Sequence, residues 1–401
     1  MIYKSLALAL SIMATSYAEV KLPSRCNSAA VHKIELPVYH DQPTPTFTYR
    51  FSVSEREDLD APLLIFVPGG PGQTSMEMPL SYPYDFSVVR TDPRGMGCNE
   101  NPHLPTESLT SEAIAKDILA IIKTLKPKKY FIHGISYGTL VATMTASMAE
   151  AQNIKAPEAV ILEGVIGRAY EADEYVNGTL ERWKEVKAQL PLSLQKSLKK
   201  KIPFGLTTKE WSAWISAILI NGTLPVGVDY AVDELMLFAD SSRANELEGL
   251  SYRIKPMTAP PTEMKKRIYK QIACREFVPD VRDVKYDYDW VNGDLIATND
   301  RLCSDTVFDK PFDSKHFQIK APTYYFSGQQ DPVTPPAQAQ YHFDNQTGSK
   351  MLIKVLKGGH TALSTNLADC SNQLWMEILK GNQDEFKKAL NACALKTSIH
   401  L

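Results

Sequence analysis

The stretch Lys129-Tyr130-Phe131-Ile132-His133-Gly134-Ile135-Ser136-Tyr137-Gly138 passes from an apolar run into a glycine-flanked serine. The run 129–134 reads as a strand buried on both faces. The segment 137–150 that follows is rich in Ala, Ser and Thr at helical spacing. Gly134 and Gly138 give the G-x-S-x-G spacing of a tight strand-to-helix turn, which exposes a serine hydroxyl at the end of a sheet. The start of the following helix favours negative charge developing there. Ser136 is therefore the candidate nucleophile, against the plainer reading of a structural turn serine.

Working outward, apolar runs at 63–68, 86–91 and 159–163 repeat the buried-strand pattern, and 33–39 with 47–53 read as an antiparallel hairpin. Between them, Ile114, Ile118, Leu119, Ile121, Ile122 and Leu125 lie on one face of a helix at 110–125. Strand alternating with helix predicts a mostly parallel sheet covered on both faces. The alternation stops near Gly164. Helices are expected at 172–189, 208–219, 230–238 and 261–276, punctuated by Pro256, Pro260 and Pro261. Strands return at 323–327 and 351–356, before a last helix at 373–394. A helical insertion thus separates the sixth strand from the seventh.

A serine hydroxyl needs a base, and the base needs an acid that fixes its tautomer. Of eight histidines, His360 follows Gly358 and Gly359 directly after the last strand. His133 precedes the elbow within its strand and is expected to point away. Asp331, in Gly328-Gln329-Gln330-Asp331-Pro332-Val333-Thr334-Pro335, follows the strand at 323–327. The plain readings are a surface His and a turn-capping Asp. The chain order Ser, Asp, His is that of α/β-hydrolases. Val67-Pro68-Gly69-Gly70-Pro71-Gly72 offers close backbone approach and a free amide. The amides of Gly70 and Tyr137 are the expected oxyanion donors. No Lys-Ser or Lys-Thr follows the loop, which disfavours a phosphate cradle.

Composition narrows the classes further. The chain has 401 residues, 44% hydrophobic and 22% charged, with a formal charge of -2. This is globular composition, and the lack of a basic excess argues against nucleic acid. Lys196, Lys199, Lys200 and Lys201 read as a solvated helix face. Residues 1–18 carry one charge, Lys4, an apolar stretch from Leu6 to Ala14, and small residues at Ser16 and Ala18. That is the pattern of a signal peptide, and it predicts an exported protein, periplasmic or secreted. No stretch is long enough to span a bilayer. The six cysteines fit an oxidising compartment. Cys274 with Cys303 and Cys370 with Cys393 are near in sequence, leaving Cys26 with Cys98. No cysteine spacing suits zinc, no H-E-x-x-H occurs, and neither metal nor cofactor is expected.

These motifs together resemble the prolyl aminopeptidase family of serine peptidases (S33), and within it the larger secreted members related to tripeptidyl aminopeptidases. Val67–Gly72 resembles the family's His-Gly-Gly-Pro-Gly loop, with Pro68 where the family has His. Thr91-Asp92-Pro93-Arg94-Gly95-Met96-Gly97-Cys98 resembles its Asp-Gln-Arg-Gly-x-Gly-x-Ser segment, with Cys98 replacing Ser. Asp92 and Arg94 read as structural. Gly134–Thr139 and the Asp331 and His360 loops match the family's elbow, acid and base. The resemblance implies an α/β-hydrolase fold, with residues 19–165 and 316–401 as the two parts of the core and 166–315 as a helical cap between strands six and seven. It implies an aminopeptidase releasing N-terminal residues from small peptides. Cap carboxylates would hold the substrate's ammonium: Glu171, Asp173, Glu174, Asp233, Glu234 or Glu276, with Glu276 favoured beside a disulfide. An esterase or lipase with the same triad is the alternative for small ester substrates, and a non-catalytic binding protein on a hydrolase scaffold is the remote one.

Overall fold

The computed structural model describes residues 22–54, 61–76, 78, 82–83, 85–198, 262–279 and 306–397, with isolated positions at 207, 215, 219, 232, 233, 235, 236 and 303. The expected signal peptide at 1–18, Lys199–Lys201, Glu234 and nearly all of the helices expected at 208–219 and 230–238 lie outside the described residues.

Eight strands form one sheet: β1 (Val31–Pro37), β2 (Thr46–Val53), β3 (Leu63–Val67), β4 (Ser87–Thr91), β5 (Tyr130–Ile135), β6 (Ala159–Glu163), β7 (Thr323–Gly328) and β8 (Lys350–Val355). Their spatial order is β1-β2-β4-β3-β5-β6-β7-β8. β1 and β2 pair antiparallel, as does β2 with β4; every other pair is parallel. Five consecutive buried residues in β3 and again in β6 show why those strands carry no polar alternation.

One face of the sheet is covered by α1 (Ser111–Leu125) and α2 (Tyr137–Ala151). Ile65, Ile132 and Leu162 meet Ile114, Ile118 and Leu140 in that layer. Thr110 caps α1, its side chain accepting from the Ala113 amide at 3.1 Å. The opposite face packs Phe66, Phe131, Ile161 and Phe326 against Leu374, Trp375 and Phe386.

Between β6 and β7 come α3 (Ala172–Gln189), α4 (Leu192–Leu198) and α5 (Glu263–Glu276). A short helix, α6 (Pro336–Asp344), follows β7. α4 carries Lys196, one of the lysines expected on a helix face, whereas α6 was not anticipated from sequence. The single helix expected at 373–394 is two: α7 (Ala368–Lys380) and α8 (Gln383–Thr397). Gly381 breaks it. At φ 68° it takes the left-handed conformation, and its amide closes on the Ile378 carbonyl at 3.0 Å, a standard helix stop. Three disulfides join Cys26 to Cys98, Cys274 to Cys303 and Cys370 to Cys393.

Candidate active site

The turn between β5 and α2 sets the site. Ser136 has φ 56° and ψ -128°, a conformation rare for a side-chain-bearing residue and characteristic of strained functional turns. The flanking glycines are required by contact. A Cβ on Gly134 would lie 2.5 Å from the Gly138 carbonyl oxygen, and one on Gly138 would lie 2.1 Å from that of Val67. The second contact presses the start of α2 against the end of β3. The loop 67–72 is thereby brought beside the elbow: a Cβ on Gly69 would come within 3.1 Å of Ser136 Cβ. Gly70, at φ 117°, adopts backbone that favours glycine.

Asp331 and His360 come from the loops after β7 and β8, at the same carboxyl edge of the parallel sheet as Ser136, the usual place for ligands in open α/β sheets. His360 Nδ1 lies 2.8 Å from Asp331 Oδ2. Asp331 also accepts from the Val333 amide at 2.8 Å, the Thr334 amide at 3.0 Å and the Thr334 hydroxyl. Burial pushes the Asp331 carboxyl up, but the His360 charge and these hydrogen bonds outweigh it and hold the group below its ordinary value. Burial pushes the His360 imidazole down, and Asp331, with Glu163 further off, outweighs it and raises the ring above its ordinary value.

The peptide joining Glu163 to Gly164 contacts both Ser136 and His360. The Ser136 amide donates to the Glu163 carbonyl at 2.8 Å. A Cβ on Gly164 would sit 2.8 Å from His360 Cε1 and 2.9 Å from its Nδ1. Ser136 and His360 thus flank one short backbone segment at the end of β6.

Tyr137, next to Ser136, is buried, with its hydroxyl 2.8 Å from Ser111 Oγ at the start of α1 and its ring stacked on Phe277 at 5.8 Å between centroids. Glu276 reaches the same place. One carboxylate oxygen accepts from the Ser111 amide at 3.1 Å; the other is buried with no hydrogen-bond partner among the described residues. Burial raises this carboxyl to about 7, against the Ser111 bonds and the more distant charges of Lys310 and Arg275. Helix capping at α1 is a role that sequence had not suggested for it.

The other carboxylates expected to hold an ammonium are paired, exposed or outside the described residues. Glu174 pairs with Arg168 at 3.2 Å and accepts from Gln338. Glu171 is 3.4 Å from the same arginine. Asp233 is exposed on the surface, and the side chain of Asp173 lies outside the described residues. Asp92 and Arg94 are structural in their contacts. Asp92 accepts from the amides of Ser75, Met76 and Cys98. Arg94 pairs with Asp117 and donates to the carbonyls of Val38 and Ser108.

His133 is part of a network that the sequence reading passed over. Its Nε2 lies 2.8 Å from Glu163 Oε1 and its Nδ1 2.7 Å from the Tyr82 hydroxyl. The available signal was two ionisable residues in strands that are otherwise apolar. Among the described residues, no group of three or more His, Cys, Asp or Glu is placed to hold a metal ion. Among them too, no helix is long and apolar enough to cross a membrane.

The alpha/beta hydrolase fold family matches residues 62–196 and 232–367 of this chain, and the chain belongs to it. No curated protein matches. Among solved structures, an alpha/beta hydrolase enzyme from a Medee basin deep-sea metagenome library is 12% identical, with 83% of this chain and 94% of that chain covered at a TM-score of 0.48. A proline iminopeptidase of Mycobacterium smegmatis is 13% identical, covering 91% and 99% at 0.45. A thermophilic esterase of Thermogutta terrifontis is 12% identical, covering 88% and 99% at 0.41.

Proposed function

We propose that this alpha/beta hydrolase is an exported serine hydrolase working through Ser136, His360 and Asp331, and that its substrates are peptides with a free amino terminus. The observation that carries the reading is the His360–Asp331 bond of 2.8 Å, held at the sheet edge where Ser136 takes its positive φ. In the proposed reaction Ser136 Oγ attacks the carbonyl carbon while His360 Nε2 takes the hydroxyl proton. Asp331 keeps the other imidazole proton on Nδ1 and stabilises the imidazolium. The amides of Gly70 and Tyr137 bind the oxyanion. The C–N bond breaks as His360 returns the proton to the leaving amine, and water then releases the acyl group from Ser136.

The segment 166–315 is read as a cap over this site, and Glu276 as the receptor for the substrate ammonium. Its buried oxygen, without a hydrogen-bond partner among the described residues, supports that role, since an ammonium brought against it would supply one. The resemblance to prolyl aminopeptidases favours release of proline or short N-terminal peptides. The three disulfides support an exported protein, and the signal-peptide pattern at 1–18 agrees with it.

A fluorophosphonate should label Ser136 in the folded protein, and Ser136→Ala should abolish labelling. An unlabelled, folded wild-type protein would overturn the reading. A panel of prolyl, aminoacyl and tripeptidyl arylamides with p-nitrophenyl esters then separates peptidase from esterase. Cleavage of esters alone would assign the site to the esterase class.

A further inference from the structure

Glu163 closes β6 and is fully buried. It is a carboxylate in a strand whose other members are Ala, Val, Ile and Leu, on the sheet face that packs Phe66, Phe131 and Trp375. Taking an ionised carboxylate out of water is costly unless its oxygens are satisfied. Here they are: Oε1 accepts from His133 Nε2 at 2.8 Å and from the Ser364 hydroxyl at 2.7 Å, and Oε2 accepts from the Ser364 amide at 3.0 Å. His133 is oriented in turn by the Tyr82 hydroxyl at its Nδ1, and Trp375 meets its ring at 5.1 Å between centroids. Donation from the Tyr82 hydroxyl to Nδ1 and from Nε2 to Glu163 satisfies every member of the chain. The net result is a carboxyl that burial pushes up but that His133 and Ser364 hold below its ordinary value.

The partners of Glu163 belong to both halves of the site. Ser364 lies four residues after His360, in the turn that carries the base. The main-chain oxygen of the same Glu163 accepts from the Ser136 amide at 2.8 Å. One residue therefore grips the nucleophile through its backbone and the base-bearing turn through its side chain.

We propose that Glu163 is a positioning residue for the reaction, which sets His360 against Ser136 through Ser364 and supplies a second buried negative charge beneath the imidazole. The proposal rests on the serine-hydrolase reading above. Among the described residues, its electrostatic part rests on few groups. Among the described residues, the charged or titratable groups about His360 are Asp331 from the loop after β7, Glu163 from β6, His133 of β5 with Tyr82 bonded to it, and Arg182 of α3, which donates to the Gln330 carbonyl beside Asp331. A general base acts when unprotonated, so labelling of Ser136 rises with pH through the titration of His360. Removing a nearby negative charge favours the neutral imidazole and moves that rise to lower pH.

The test is the rate of fluorophosphonate labelling against pH for wild type, Glu163→Gln and Ser364→Ala, each with folding verified by thermal unfolding. Glu163→Gln should label more slowly by about 10- to 100-fold, as small misplacements of reacting groups do, and its acidic midpoint should move to lower pH. Ser364→Ala should slow labelling with the midpoint unmoved, because the charge remains. Wild-type rate, or an unmoved midpoint, in folded Glu163→Gln would overturn the proposal. Should Glu163→Gln fail to fold, Ser364→Ala decides alone: slowed labelling supports the positioning, and an unchanged rate overturns it. Failure of the wild type itself to label would instead defeat the serine-hydrolase reading.

Discussion

His360 Nδ1 lies 2.8 Å from Asp331 Oδ2, although the two residues stand on separate loops after adjacent parallel strands. Adjacency of β7 and β8 makes the meeting possible, and the Thr334 hydroxyl, bonded to Asp331 and 3.1 Å from His360 Nδ1, completes it. Asp331→Asn would keep the shape and lose the charge that raises His360. On the proposed mechanism, turnover should fall by about 10⁴-fold, the loss seen when a triad aspartate becomes asparagine. Its acidic limb should also move to lower pH. A rate within tenfold of wild type would remove Asp331 from the mechanism.

The same pair sets a stability window. Asp331 has a folded pKa below its ordinary 3.8, so its contribution is present above that value and is lost as pH falls through the lower folded one. His360 is raised above 6.5, so its contribution is full below 6.5 and lost as pH rises through the higher folded value. The shared interaction is therefore strongest between about pH 4 and 6.5. Urea midpoints of wild type and Asp331→Asn should differ most in that interval and converge on either side of it. A difference independent of pH would contradict this.

Glycine contacts separate steric from conformational cost. Gly138→Ala would drive a Cβ to 2.1 Å from the Val67 oxygen, a backbone atom that cannot turn aside. It should destabilise by about 3 kcal/mol or more, at the upper end of overpacking effects, and also dislodge Ser136. Gly381→Ala meets nothing within 4 Å and suffers only its left-handed φ of 68°, which costs about 1–2 kcal/mol. Denaturant unfolding of both should show the larger loss at Gly138, with activity retained by Gly381→Ala. Comparable losses would mean that the Val67 contact is relieved by shifts of the backbone.

Much of this was legible in the chain because parallel strands buried on both faces leave continuous apolar runs. Each of the eight expected strands is found within two residues of its expected ends. Ser136 was legible from two glycines, each of which excludes a Cβ by contact. Glu163 and His133 were not, because their meaning lies in register. Glu163 is level with Ile135, two residues beyond His133 on the same face of the neighbouring strand, and that pairing is a property of the sheet. Gly381, a residue type that commonly ends helices, lies inside the single helix expected at 373–394 and breaks it. The capping of α1 by Glu276 joins residues 165 apart in sequence, beyond any local pattern.

Arg94 and Asp117 form an ion pair with both side chains fully excluded from solvent. His40 closes the cluster, with its Nε2 2.8 Å from Asp117 and 2.9 Å from Arg94. Removing one partner leaves the other charge buried, so Asp117→Ala should cost about 3–5 kcal/mol. The double variant Arg94→Met, Asp117→Leu should recover a large part of that loss. Turnover per folded molecule should stay near wild type in either case, as the contacts of Arg94 run to Val38, Ser108, His40 and Asp117 rather than to Ser136. A selective loss of turnover with unchanged unfolding would argue for a direct role instead.

Glu276 offers two roles that one substitution can separate. Its bond to the Ser111 amide caps α1, and its other oxygen is buried without a hydrogen-bond partner among the described residues. Burial raises the carboxyl from 4.5 to about 7, so the folded protein prefers it protonated. Stability from this group is full below 4.5 and is lost as pH rises through about 7. Glu276→Gln should abolish that alkaline loss, which urea unfolding between pH 5 and 8 would detect. An ammonium brought against that oxygen would favour the ionised form. If Glu276 receives the substrate's amine, Glu276→Gln should raise KM for unblocked arylamides and leave amino-blocked esters unaffected. Equal effects on both substrate classes would confine Glu276 to the helix cap and leave the amine receptor to be sought elsewhere.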